Sequence, residues 1–202
     1  MPDARRNSEC TKYKDLAKGF ARHWVQIASN GNHSRLAFDQ PNTWSQKYNL
    51  VWDKILGLNV FPAAVAEAEV AHYKVTMQPY GIPLDSRTHI TKSDWATWSA
   101  ALSNNQADFE ALVNPMYAYL DNTTARQPFA DEYATDDINN DGMHARPVIG
   151  GVFIQMLADP AILKNGPARI GSRSPAGRRS PRPRKSLTSS LPRRPKRRHG
   201  TM

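Results

Sequence analysis

The chain has 202 residues, of which 40% are hydrophobic, with five Trp and seven Tyr. That is enough to bury a sizeable core, which excludes a chain disordered throughout. The net charge of +9 points first to a nucleic-acid binder. But residues 166–202 carry 12 Lys and Arg and no Asp or Glu, which leaves 15 basic and 18 acidic residues in 1–165. The body is therefore slightly acidic, and any nucleic-acid binding falls to the tail alone.

Residues 13–28 open the chain of predicted elements, with Tyr13, Leu16, Ala17, Phe20, Trp24 and Ile27 on one helical stripe. Asn30-Gly31-Asn32 stops it. After a loop to Thr43, residues 44–56 read as a second helix through Trp44, Tyr48, Val51, Trp52, Ile55 and Leu56, ended by Gly57. Pro62 suits the first turn of a third helix running to about Met77. Pro79, Gly81 and Pro83 make a rigid turn. Thr91 and Ser93 both offer cap oxygens for a fourth helix, and Asp94 adds negative charge near its positive end. Trp95, Trp98 and Leu102 give that helix its apolar face.

The fifth helix has the cleanest period: Phe109, Leu112, Val113, Met116, Tyr117 and Leu120. Pro115 is expected to kink it or end its first part early. A stop at Asp121–Thr124 leads into a polar loop reaching about Gly142. Residues 145–158 form a sixth segment, whose Gly150-Gly151 pair weakens an isolated helix and marks a place where another backbone packs closely. No alternating strand pattern exceeds four residues. Six helices in pairs make an all-α array of hairpins. The chain divides into a disordered N-terminus (1–10), the helical body (11–163) and an Arg/Pro/Ser-rich tail (164–202) that cannot bury a core.

Cys10 is the only cysteine, so no intrachain disulfide forms. No apolar run reaches the roughly 18 residues of a membrane span. No signal peptide follows Met1. Six His residues show no metal-ligand spacing, and no cofactor is expected. Asp137-Ile138-Asn139-Asn140-Asp141-Gly142 matches the first half of a calcium loop, but Val148 stands where the closing Glu belongs, so it reads as a polar turn. The sequons at Asn32 and Asn122 are about what chance gives.

Several motifs are distinctive: Leu36-Ala37-Phe38-Asp39, then Thr43 through Lys54; Gly81-Ile82-Pro83-Leu84-Asp85-Ser86-Arg87; Thr91-Lys92-Ser93-Asp94-Trp95; and Ala145-Arg146-Pro147-Val148-Ile149-Gly150-Gly151-Val152-Phe153-Ile154. In this order they resemble the C-terminal region of the fungal-type extracellular glutaminases, over about residues 11–163. The resemblance implies a partial (α/α)6 toroid like that of six-hairpin glycosidases, hydrolysis of L-glutamine to L-glutamate and ammonia, and secretion. It also implies that the chain is a fragment lacking the first half of its toroid, which would be its missing partner. After Leu157-Ala158-Asp159-Pro160 the family pattern ends. Two readings of the tail stay open: translation in a shifted frame, or a real basic appendage, with Arg193-Arg194-Pro195-Lys196-Arg197-Arg198 as a nuclear-targeting run.

Amide hydrolysis needs an activated nucleophile, an oxyanion stabiliser and a proton for departing ammonia. Glutamine also needs partners for its α-carboxylate, which suits Arg, and its α-ammonium, which suits Asp or Glu. Asp85 and Arg87 in a Pro-stiffened loop, with Asp94 at the next helix start, form the leading candidate cluster. The alternatives are an Asp85–Arg87 pair and an Asp94 that only serves its helix terminus. Asp53 is either a base with a raised pKa or a surface partner of Lys47 or Lys54. Arg146 either grips a carboxylate or braces its loop. Trp44, Gln46 and Tyr48 line a polar pocket, or Trp44 and Tyr48 belong to the core. A carbohydrate-active enzyme is a second function class, with Asp53, Asp85 and Asp94 as its carboxyl groups. A non-enzymatic fragment that binds nucleic acid through its tail is a third.

Overall fold

The computed structural model describes residues 4–125, 127–139, 142–159 and 161–162. Among these the order is α1 (Ala4–Ala28), α2 (Val51–Ile55), α3 (Ala63–Thr76), β1 (Ile90–Lys92), α4 (Ser93–Ala100), α5 (Gln106–Asn122), β2 (Glu132–Ala134) and α6 (Ile154–Leu157). A 3-10 turn at Tyr48–Leu50 leads into α2, and another at Pro147–Phe153 leads into α6. The expected all-α class is what the structure shows: six helices and one small antiparallel pair of strands, β1 against β2, with Thr91 opposite Tyr133.

α1 begins at Ala4, so residues 4–10 continue the predicted helix where a disordered N-terminus was expected. Ala4, Arg5, Arg6 and Glu9 in that stretch favour helix. Ala21 and Ala28 are buried against the rest of the fold, while Tyr13, Leu16 and Phe20 stand 50–66% exposed.

The predicted 44–56 helix is only half realised. Residues 44–46 are instead extended and paired with the Pro-rich loop: the Gln46 N–H donates to the Leu84 carbonyl (2.8 Å) and the Ser86 N–H to the Trp44 carbonyl (3.0 Å). Tertiary backbone partners outcompete the local helical pattern here. The caps also differ from expectation. Thr91 lies in β1, and neither Thr91 nor Ser93 caps α4. Ser93 instead ties its helix start to β2, its N–H donating to the Asp131 carbonyl at 2.7 Å. At the other end of α4 the Lys54 ammonium donates to the carbonyls of Ala101 (2.9 Å) and Leu102 (3.2 Å), meeting the negative end of the helix. α5 has a side-chain cap: Asn105 Oδ1 accepts from the Asp108 N–H at 2.8 Å. α5 runs through Pro115 without ending, its buried face of Leu112, Met116 and Tyr119 packing on the core.

α4 is the hub of the core. It packs on the 3-10 turns, on α5 and α6, and on β1. Val51, Tyr73, Ile82, Ala100, Leu102 and Tyr119 are among the side chains buried with it. The Tyr119 and Tyr133 rings stack at 4.2 Å and join α5 to β2.

The close approach expected at Gly150-Gly151 occurs at one of the two. A Cβ at Gly151 would stand 2.6 Å from the Asp94 Cβ and 3.1 Å from the Trp98 indole nitrogen, whereas one at Gly150 meets nothing within 4 Å. Gly151→Ala is therefore expected to lose about 1–3 kcal/mol of stability through overpacking. Gly150→Ala should stay within about 0.5 kcal/mol of the parent. Urea unfolding of the two variants checks this, and equal losses would refute it.

Candidate functional site

The extended segment before α2, the loop 84–87 and the faces of α1 and α4 enclose an open cavity of about 680 Å³. Trp24, Phe61, Tyr48 and Trp95 give it apolar walls, and its polar groups include Ser45, Lys47, Asp85 and Arg87. A volume of this order suits a small-molecule site.

Asp85 and Arg87 form a tight unit at the cavity. Asp85 Oδ1 accepts from the Arg87 N–H (2.9 Å) and Nε (3.0 Å), and Oδ2 accepts from Nη2 (2.7 Å). These bonds to Arg87 hold the buried Asp85 carboxyl below its ordinary range, against the opposing effect of burial. The Arg87 side chain itself remains 68% exposed. Asp85 is thus the anchor and Arg87 the presented group.

Lys47 and Ser45 stand beside them. The Lys47 Nζ lies 2.7 Å from the Ser45 Oγ and donates to the Arg35 carbonyl at 2.8 Å. Burial lowers the Lys47 pKa, while Glu69 and Asp85 act in the opposite sense. Behind Lys47, Glu69 is fully buried and accepts from the Ser34 N–H at 2.7 Å. Burial raises its pKa. His72 stacks on His33 at 3.9 Å, and burial, with the nearby His33 and Lys47, brings its pKa down to about 4. It is neutral at neutral pH.

Asp94 does not join Asp85 and Arg87 among the cavity-lining residues. It belongs to a second cluster with Asp131, Lys92 and Arg146. Asp131 Oδ2 is 3.0 Å from Arg146 Nη1 and 3.6 Å from Lys92 Nζ, and Lys92 also reaches Glu132 at 2.6 Å. Asp94 is 6% exposed and Asp131 2%, and Oδ1 of each is buried without a hydrogen-bond partner. The two clusters are linked through Tyr48, whose ring stacks on Trp95 at 4.2 Å and whose hydroxyl pKa rises from burial and from Asp94.

The remaining predicted residues are placed as follows. Asp53 pairs with neither Lys47 nor Lys54. It accepts from the Val60 N–H (2.9 Å) and the Phe61 N–H (3.1 Å), which pins the loop before α3. Gln46 lies 3% exposed with its carboxamide bonded internally to Ile82, Pro83, Thr91 and Ser99. Trp44 lies outside the cavity, edge-on to His72. Arg146 reaches Asp131, a carboxylate of its own chain. Of the calcium-loop stretch, Asn140 and Asp141 lie outside the described residues, as do the tail and its basic run. Asp137 Oδ1 accepts from the Ile138 and Asn139 N–H groups in a local turn.

Sequence reasoning missed Ser45 and Lys47. The signal was their two-residue spacing. In an extended segment it puts both side chains on one face, but in the helix expected here it turns them apart.

Burial, ahead of its neighbours, raises the Asp94 pKa above 3.8; Asp131 pushes the same way, and Lys92 and backbone N–H groups oppose it. The unfolded chain ionises first as pH climbs past 3.8, so the native state is progressively penalised up to the raised value and fully penalised above it. Asp94→Asn keeps the shape and removes the charge. It is expected to raise the thermal midpoint at neutral pH, with the gain fading as pH falls from the raised value toward 3.8 and gone below it. Melting curves across that range check it, and a loss of stability at neutral pH would contradict it.

Comparison with known proteins matches residues 2–156 to the glutaminase A six helical-hairpin domain. The chain is similar to Glutaminase A of Aspergillus oryzae (strain ATCC 42149 / RIB 40), at 28% identity over 156 residues, covering 74% of this chain and 22% of that protein. It is similar also to a protein named "Probable glutaminase" from Arthroderma benhamiae, at 27% identity over 192 residues, covering 79% of this chain and 22% of that one. The chain thus spans about a fifth of the length of these relatives. No solved structure matches it. With the matched domain covering most of its length, the chain belongs to the glutaminase A six-helical-hairpin family.

Proposed function

We propose that this chain supplies part of the substrate cavity of a glutaminase, hydrolysing the side-chain amide of L-glutamine to L-glutamate and ammonia, within a toroid of helical hairpins. The observation that carries the reading is the Arg87 guanidinium, locked by Asp85 through Nε and Nη2 at the cavity. Its Nη1 has no partner among the described residues, so the outer edge of the fork is presented to a ligand. A guanidinium held rigid in this way recognises a carboxylate with little further loss of side-chain freedom. In this reading Arg87 takes the α-carboxylate, Asp85 positions it, and the aromatic walls exclude water around the amide. The names of the relatives point to the same substrate.

The carbohydrate reading finds less support. Of the carboxylates expected for it, the two that line the cavity are already engaged: Asp53 by backbone N–H groups and Asp85 by Arg87. Asp94 is buried in the second cluster.

Calorimetric titration of the full chain with L-glutamine tests the proposal, alongside ammonia release. Arg87→Ala is expected to weaken glutamine binding roughly ten- to hundredfold, the worth of one hydrogen-bonded charge contact. Glutamine bound equally by the variant would remove Arg87 from the site. Sugar release from glycosides without ammonia from glutamine would replace the reading.

A further inference from the structure

We infer that Ser45 and Lys47 form a nucleophile–base pair that cleaves the amide through a covalent acyl-serine. The inference rests on the cavity being an amidohydrolase site, as proposed above. Four observations support it. The Ser45 Oγ and Lys47 Nζ are 2.7 Å apart, hydrogen-bonding distance for proton transfer. Both line the cavity beside Arg87, where a bound glutamine would lie. The Lys47 amine is oriented by a third group, the Arg35 carbonyl at 2.8 Å; in the structure its Nζ donates to the Ser45 Oγ, and loss of that proton turns the nitrogen into the acceptor the hydroxyl needs. The backbone around the pair is fixed on both sides, by Gln46 to Leu84, Ser86 to Trp44 and the Lys47 N–H to the Tyr73 hydroxyl (2.7 Å).

The geometry is that of a serine whose base is an amine, a known variant of the nucleophile–base arrangement. Neutral Lys47 takes the Ser45 hydroxyl proton as Oγ bonds to the side-chain carbonyl carbon. Collapse of the tetrahedral adduct breaks the C–N bond, and Lys47 returns the proton to the departing ammonia. Water then attacks the glutamyl ester and gives its proton to Lys47. Oγ leaves, recovers that proton, and glutamate is released. No redox partner or co-reactant other than water is needed.

A base of this kind must be available as the free amine. Burial acts in that direction on Lys47, and the groups facing it are Glu69 and Asp85, which favour its charge, and His72, which is neutral at neutral pH. Asp85 is itself neutralised by Arg87, so its hold on the ammonium is reduced.

Treatment of the folded full chain with a fluorophosphonate, followed by peptide mass spectrometry, tests the pair without relying on glutamine. Label is expected at Ser45, growing with pH below 10.5 as Lys47 loses its proton, and is expected to be lost in Lys47→Met. Lys47→Arg keeps the length and charge but cannot act as a base, so it too should fail to label while remaining folded by circular dichroism. With glutamine, Ser45→Ala should lower ammonia release by roughly a hundred- to ten-thousandfold. The parent chain with hydroxylamine should yield γ-glutamyl hydroxamate from the trapped ester. An unlabelled Ser45 in the folded chain overturns the pair whatever glutamine does, as does full labelling of Lys47→Arg. Ammonia release undiminished in Ser45→Ala also overturns the pair but leaves the glutaminase reading standing. Label at Ser45 with no ammonia from glutamine keeps the pair and removes glutamine as its substrate.

Discussion

The carboxamide of Gln46 is buried where four pieces of chain meet. Its nitrogen donates to the carbonyls of Ile82 (3.1 Å) and Pro83 (3.0 Å) and approaches the Thr91 Oγ1 (3.2 Å), while its oxygen accepts from the Ser99 Oγ (3.0 Å). The 44–47 segment, the Pro-stiffened loop, β1 and α4 are thereby fixed to one another. A fully satisfied buried amide of this sort is costly to disturb, because removing it leaves several desolvated partners unpaired. It also dictates backbone shape. To bring the carboxamide inside, residues 44–46 must lie extended against the loop, and that extension is what sets Ser45 and Lys47 side by side.

The same constraint separates the charged groups into two environments. On the cavity side, Asp85 spends its charge on Arg87 and leaves the guanidinium outward. In the other cluster, Asp131 pairs with Lys92 and Arg146 beside the buried Asp94, and one carboxylate oxygen of each Asp is unpartnered. Gly151 allows that second cluster to close: its lack of a Cβ lets the turn before α6 lie against Asp94, and its carbonyl accepts from the Trp98 indole at 3.0 Å. Burial of two carboxylates with so few partners costs stability, and the two cations and the dense aromatic packing of Tyr48, Trp95 and Trp98 offset it.

Elements whose shape follows from local pattern were legible in the sequence. α5 matches its apolar stripe, α3 keeps close to the bounds expected from Pro62 to Met77, and α1 extends its stripe toward the N-terminus because helix-forming residues precede it. The Gly-Gly pair correctly marked a close approach, though only Gly151 makes it. What failed depends on partners far away in sequence. The 44–56 stripe is helical in period, yet its first residues pair with residues 84–86. Thr91 looked like a cap and is a strand residue holding Gln46. Asp53 looked like half of a salt bridge and serves two backbone N–H groups. Asp85 and Arg87 were legible as a pair because only Ser86 separates them, whereas the Asp94–Asp131 cluster joins chain segments that no spacing rule connects.

The two polar units of the cavity are electrostatically coupled, and the coupling has a direction. Were Asp85 a bare carboxylate, it would strengthen the ammonium of Lys47 and make it a poor base. The Arg87 fork takes up both Asp85 oxygens and reduces that field at the amine. The desolvation of Lys47 then outweighs the carboxylates that oppose it, Glu69 among them, whose own charge is disfavoured by its complete burial. A substrate carboxylate docking on the outer edge of Arg87 would draw the guanidinium away from Asp85 only at the expense of a bidentate pair, so the ligand is held by an edge the pair leaves open. Under the proposed function, the residue that takes the substrate carboxylate is thus also the one that keeps the neighbouring amine nearer its neutral form.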